Sequence, residues 1–194
     1  MQRVFKTCFI RKGGVIGKVI QIDASFTKMI FDKDSREFNL EYAGGSHNEL
    51  MTYPLLVACK ILGHDVESRI NTRFKNNSKV DVYSNLRLEY KSSIANLNVG
   101  IGAKKEGDLI ITGTKGYIYV PAPWWLTKEF EIRFEDSDKN EKFTYKFQGD
   151  GLRYEIAEFV DCIKKETHSF KLTHDDMIFL SKYIEFKGYN IKEI

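Results

Sequence analysis

Residues 80–99 read Val80-Asp81-Val82-Tyr83-Ser84-Asn85-Leu86-Arg87-Leu88-Glu89-Tyr90-Lys91-Ser92-Ser93-Ile94-Ala95-Asn96-Leu97-Asn98-Val99. Apolar and polar residues alternate on both sides of a short polar break, the two-residue period of strands that present opposite faces. Asn85 to Tyr90 and Ser92 to Asn98 carry hydrophobic residues on one face and small or polar residues on the other. Two such runs joined by so short a turn predict an antiparallel hairpin.

The pattern continues outward from the hairpin. Val66 to Phe74 precedes it, and Asp108 to Thr112, Tyr117 to Val120, Glu129 to Glu135 and Lys142 to Phe147 follow. Asn76-Asn77, Gly107, Gly113-Thr114-Lys115-Gly116 and Ser137-Asp138-Lys139-Asn140 separate these runs as turns. Upstream, Val15 to Met29 alternates as well, with Ile20, Ile22, Ala24 and Phe26 on one side, and predicts a long strand with one covered face. Helical spacing marks Val4, Phe5, Cys8 and Phe9, stopped by Gly13-Gly14, and a helix from about Ser46 to Leu62 that closes at Gly63. A polar loop, Asp32 to Glu41, lies between. Two more helical patterns end the chain: Leu152, Ile156, Phe159, Val160 and Ile163 share one face, and Ile178, Phe179, Tyr183 and Phe186 another. Thr173 caps the second, with Asp175 and Asp176 in its first turn. Helices bracketing a run of strands predict an α+β fold: a large open, mostly antiparallel sheet with helices packed on one face.

Composition narrows the function. The chain has 194 residues, 42% of them hydrophobic and 29% charged, which suits a folded domain rather than a disordered segment. No apolar run reaches the roughly 20 residues that cross a bilayer, and the N-terminus lacks a secretory signal pattern. Three cysteines, Cys8, Cys59 and Cys162, are too few for a disulfide framework, so a reduced, cytoplasmic setting is expected. Thirty basic residues against 27 acidic ones give +3 and no basic stripe, which argues against a nucleic-acid partner. His64, His168 and His174 have no Asp, Cys or His at ligand spacing along the chain, so no metal site is read. Trp124 and Trp125, after Pro121 and Pro123, read as sheet-packing or interface residues.

Four segments resemble one family. Gly44-Gly45 opens a helix continuing Glu49-Leu50-Met51-Thr52-Tyr53-Pro54; Gly14-Val15-Ile16-Gly17-Lys18-Val19 precedes the first strand; Ile111-Thr112-Gly113-Thr114-Lys115-Gly116-Tyr117-Ile118 forms a hairpin; Tyr154-Glu155 begins a helix running to Ile163. In that order, over essentially the whole chain, they resemble the C-terminal domain of the Gfo/Idh/MocA oxidoreductases. Residues 1–194 are then expected to be one substrate-binding and dimerisation domain, a homodimer through its open sheet face. The resemblance implies an NAD(P)-dependent enzyme acting on a sugar or polyol, with a Rossmann domain from a separate chain or from a removed part of this one. This polypeptide is expected to hold no cofactor tightly by itself. Gly100-Ile101-Gly102 has Lys105 where a dinucleotide fingerprint needs its third glycine, and Glu141-Lys142-Phe143 does not match the family's Glu-Lys-Pro.

By the same resemblance Tyr53 is the proton-relay residue, Glu49 a substrate hydroxyl ligand, and Arg36 a residue facing substrate. His47 and Tyr154 are further candidates for substrate contact, with Glu155 beside Tyr154. Glu49 and Tyr53 are four apart, one helical turn. Tyrosine, with an ordinary pKa of about 10, needs a nearby cation to act as a base at neutral pH. Glu49 stands where the family usually has Asp, Met51 where it has glycine, and His47-Asn48 where it has apolar residues. Those departures support an alternative: a non-enzymatic interaction or regulatory module.

Overall fold

The computed structural model describes residues 14–77, 79–146, 149, 151–169, 171–185 and 188–194. The helical pattern of Val4 to Phe9, with Cys8, and the positions of Phe147 and Phe186 lie outside them. Strand β1 (Val19–Thr27) leads through helices α1 (Ser46–Leu50) and α2 (Thr52–Leu62) to β2 (Val66–Lys75), β3 (Asp81–Tyr90) and β4 (Ser93–Gly100). Then come β5 (Leu109–Gly113), β6 (Tyr117–Val120), β7 (Glu129–Arg133) and β8 (Glu141–Thr144). Helices α3 (Leu152–Lys164) and α4 (His174–Ile184) and a last strand, β9 (Asn190–Glu193), follow.

All nine strands form one sheet, ordered β8-β7-β6-β5-β1-β4-β3-β2-β9. Six of its eight pairings are antiparallel, and the expected hairpin is present, Leu86 opposite Leu97 and Leu88 opposite Ala95. The two parallel contacts are β1 with β4, Ile22 beside Ala95, and β2 with β9. A parallel pair needs a long crossover, which α1, α2 and the β2–β3 hairpin provide between β1 and β4. β1 begins at Val19 rather than Val15, because Gly17 turns back to donate to the Gly14 carbonyl at 2.7 Å.

Strand alternation sends one set of side chains toward the helices. Ile22, Ala24, Leu86, Leu88, Ala95, Leu97, Leu109 and Ile111 are buried there in one core with Leu50, Met51, Leu55 and Ala58 of the helical segment and Phe179 and Tyr183 of α4. α1 packs on β3 and β4, α2 on β1 and β4, and α4 on α2. Each fully buried side chain of this size contributes roughly 1.5–3 kcal/mol. Trp124 closes the core beneath the other half of the sheet, its indole N–H donating to the Ser25 carbonyl at 2.7 Å.

The opposite face of the sheet carries short polar side chains bonded to one another. Asn96 donates to Asp23 at 3.1 Å, Gln21 to Asp23 at 2.7 Å, and Asn85 and Tyr83 to Asn98 at 2.9 and 3.1 Å. α3 differs from the other long helices. None of its residues is buried among the described residues, and Leu152, Ile156, Phe159 and Ile163 are all more than half exposed. No helix of the described residues is long and apolar enough to cross a membrane.

Candidate functional site

The site is built on the segment after β1. Two short 3-10 turns, Arg36–Phe38 and Leu40–Tyr42, bring the chain to Gly44-Gly45. A side chain at Gly44 would stand 2.4 Å from the Glu37 carbonyl oxygen. One at Gly45 would stand 2.8 Å from Asp81 Oδ1 on a backbone already at φ +109, so both positions require glycine. The tight passage presses the start of α1 onto the buried Asp81 carboxylate. Its Oδ2 accepts from the Ser46 hydroxyl and, at 2.9 Å, from the His47 backbone N–H, while the Arg73 guanidinium lies 3.7 Å from Oδ1.

The helix expected as one piece from Ser46 to Leu62 divides at Met51. Pro54 has no N–H to give the Leu50 carbonyl, which breaks the ladder at that turn. Met51 keeps helical angles (φ −65, ψ −23), so the axis carries on and Glu49 and Tyr53 remain one turn apart. Arg36 reaches across from its 3-10 turn and grips Glu49 with two bonds, Nη1 to Oε1 at 3.0 Å and Nη2 to Oε2 at 2.9 Å. The paired forks fix the plane of the carboxylate. Tyr53 is 44% exposed, its ring edge against Phe26 at 4.9 Å between centroids. Phe26 in turn stacks on Trp125 at 3.8 Å, an aromatic wall that the sequence reading missed because Trp125 lies 72 positions beyond Tyr53.

Arg36, Glu49 and Tyr53 therefore gather at one end of the helical segment. His47 does not join them. Its side chain is fully buried; Nε2 lies 3.1 Å from the Tyr183 carbonyl and Nδ1 3.1 Å from the Ser84 hydroxyl. A carbonyl only accepts, so Nε2 carries the proton, and Nδ1 faces the Ser84 hydroxyl, which also reaches Asn71 Oδ1 at 3.2 Å. Burial, reinforced by the nearby Arg73 charge, pushes the imidazole pKa down to about 4. The expected substrate contact of His47 is not met by its placement here, with both ring nitrogens facing core groups and the side chain away from Arg36, Glu49 and Tyr53. Tyr154 comes from the first turn of α3 and is 45% exposed, and Glu155 beside it is exposed as well.

A model of the GFO/IDH/MocA C-terminal domain family matches residues 10–119, more than half of the chain. The chain belongs to this family. The GFO/IDH/MocA fold is shared with solved structures of low identity. One is KijD10, a 3-ketoreductase from Actinomadura kijaniata crystallised with NADP and TDP-benzene: 19% identity, TM-score 0.84, covering 100% of this chain and 60% of that one. Another is the UDP-N-acetylglucosamine 3-dehydrogenase GnnA from Acidithiobacillus ferrooxidans: 13% identity, TM-score 0.74, covering 97% of this chain and 57% of that one. This GFO/IDH/MocA chain thus spans about 60% of the length of the structures it matches. No curated protein matches its sequence.

Proposed function

We propose that residues 1–194 form the substrate-binding and dimerisation domain of an NAD(P)-dependent oxidoreductase acting on a CH–OH group of a sugar or polyol, nucleotide-linked sugars included. The hydride carrier is held by a Rossmann domain outside these residues. The observation that carries the reading is the half-exposed Tyr53 phenol one helical turn from a carboxylate clamped by Arg36.

Each residue has a task in that chemistry. Tyr53 Oη moves the proton of the reacting hydroxyl. Glu49 accepts from a neighbouring hydroxyl through the lone pairs that face away from the guanidinium. Arg36 holds the carboxylate still and balances its charge, so substrate meets a fixed acceptor. The Phe26–Trp125 wall limits the rotation of the Tyr53 ring. The segment nearest to a dinucleotide fingerprint does not fit a pyrophosphate. A side chain at Gly102 would stand 2.8 Å from Val82 Cβ and one at Gly100 2.8 Å from the Ala103 carbonyl oxygen, so both glycines are taken up by packing.

Two features support a second half. The apolar face of α3 is uncovered among the described residues, and the matched structures are longer by two-fifths of their length. Likeness to a 3-ketoreductase crystallised with TDP-benzene and to a UDP-N-acetylglucosamine 3-dehydrogenase supports a nucleotide-linked sugar as substrate. The polar open face of the sheet, unlayered by helices among the described residues, supports a second copy of the chain as its cover.

Titrating the chain with UDP- and TDP-hexoses, followed by amide NMR shifts, tests the substrate reading. Saturable shifts on α1 and α2, weakened roughly tenfold in Glu49→Gln, are expected; no saturable shift at millimolar ligand overturns it. Nicotinamide fluorescence tests the other part, since micromolar affinity for NADH or NADPH in the chain alone would overturn the claim that the carrier is held elsewhere. Glu49 in place of the family's usual Asp and Met51 in place of its glycine favour one competing reading, a non-enzymatic interaction or regulatory module. Glu49→Gln binding these sugars as well as the parent chain would point that way.

A further inference from the structure

The last turn of α2 and the first turn of α4 meet at Asp176, which is buried. One carboxylate oxygen, Oδ2, serves the helix cap: it accepts from the Thr173 backbone N–H at 2.7 Å and hydroxyl at 2.8 Å, and from the Lys60 ammonium. The other oxygen stands apart from that cap. Oδ1 faces His64 Nε2 at 3.1 Å and Cys59 Sγ at 3.7 Å, both approaching as donors. Three ligand-type atoms, a thiol sulfur, an imidazole nitrogen and a carboxylate oxygen, thus converge within 4.8 Å of one another.

A tetrahedral zinc site, with bonds of about 2.0–2.2 Å to O and N and about 2.3 Å to S, sets its ligand atoms about 3.3–3.6 Å apart. Two of the separations, 3.1 and 3.7 Å, bracket that range, and all three lie within 4.8 Å. His64, its side chain 41% exposed, can swing to close the third edge and leaves a solvent path for a fourth, water ligand. Lys60 and Thr173, bonded to the far oxygen, orient the carboxylate as an outer shell does. We propose that Cys59, His64 and Asp176 bind a thiophilic divalent transition metal, zinc above all, which ties the end of α2 to the start of α4.

Metal binding here exchanges protons for the ion. Burial pushes the Cys59 thiol up to about 12, so without metal the sulfur keeps its proton. On binding, that proton leaves to solvent, the thiolate takes the metal, and the imidazole moves its own proton to Nδ1. The site lies six residues beyond Tyr53 on the same helix, about 9 Å along its axis, so the ion would stiffen the element that carries the phenol.

Adding Co2+ and then Zn2+ to the reduced full chain tests the proposal. One equivalent of cobalt is expected to give thiolate-to-cobalt absorption in the near ultraviolet and the strong visible bands of four-coordination, both abolished by zinc. Zinc is also expected to raise the melting temperature. His64→Ala, a change at a partly exposed side chain, and Cys59→Ser should each weaken binding by roughly a hundredfold. Cys162→Ser and His174→Ala should leave it unchanged. An unaltered melting temperature of His64→Ala without metal separates lost ligation from lost fold. Absence of the thiolate band in the parent chain, its survival in Cys59→Ser, or its loss in Cys162→Ser would each overturn the assignment.

Discussion

Acidification from pH 7.5 to 4.5 is expected to remove roughly 2–3 kcal/mol of folding stability through His47 alone. The ring is buried between the Ser84 hydroxyl and the Tyr183 carbonyl, and burial, with Arg73 nearby, brings its pKa from 6.5 to about 4. An unfolded chain takes up the same proton near pH 6.5. Between these values the unfolded state binds more protons than the folded one, so stability falls as pH falls. The His47 contribution is therefore whole above pH 7, declines as pH drops through 6.5 and levels off below about 4. At pH 4.5, two units under the unfolded value, roughly 2–3 kcal/mol is lost. Asp176 adds little in this window: burial opposes its ionisation, but bonds from Lys60, Thr173 and His64 outweigh that and hold its carboxyl below the usual 3.8. Urea unfolding at the two pH values, with a slope of about 2 kcal/mol per molar, should show a midpoint lower by about 1 M through this residue. His47→Gln, less stable at pH 7.5 because it loses packing, should lack that part of the pH dependence. Equal losses in the parent chain and in His47→Gln would refute the reasoning.

Other consequences are open to direct measurement. Gly45→Ala places a methyl 2.8 Å from Asp81 Oδ1 at φ +109, whereas Gly63→Ala, at φ +85, meets nothing within 4 Å. Thermal melts should show the first costing about 3 kcal/mol and the second about 1 kcal/mol; equal costs would mean that the Asp81 anchor is soft. Light scattering at micromolar concentration should give a dimer for the parent chain and a monomer for Asn96→Arg, which places a charge amid the open face; a monomeric parent chain would sink the second-copy reading. Phe159→Glu, at a position 67% exposed on α3, should shift stability by no more than about 0.5 kcal/mol in the isolated chain. A large loss in a urea titration would show that the face is covered from within.

Local chemistry made much of this fold legible. The alternation in Val80 to Val99 foretells the hairpin and the division into a covered and a polar face, and the glycine pair foretells a close passage. Pairings made at a distance were not legible. Nothing near Val19–Thr27 announces that β1 runs parallel to β4, and Asn190–Glu193 shows no alternation before it lies along β2. Cys59 stands five residues before His64, but two ligand-type residues do not announce a site, and the fold delivers the third, Asp176, from 112 residues away. His47 shows the reverse: its place in α1 suggested the cleft, and the polar pocket formed by Ser84 and Tyr183 turned it inward. Of the candidate site, Arg36, Glu49 and Tyr53 were found from family motifs rather than from physical pattern, because an exposed Arg, Glu or Tyr carries no periodic signal. α3 has the stripe of an ordinary packed helix, and only the fold reveals that the stripe is exposed among the described residues.

The position of β1 between β4 and β5 bears on how the molecule is made. Its neighbours on both edges, Ile94 beside Gln21 and Thr112 on the other side, arise about 70 and 90 residues later in the chain. At about 5–20 residues per second a ribosome needs several seconds to deliver them. Throughout that delay the strand that joins the two halves of the sheet has both edges bare. Nascent chains stalled before residue 94 should therefore recruit chaperones or aggregate, and those stalled well past residue 113 should not.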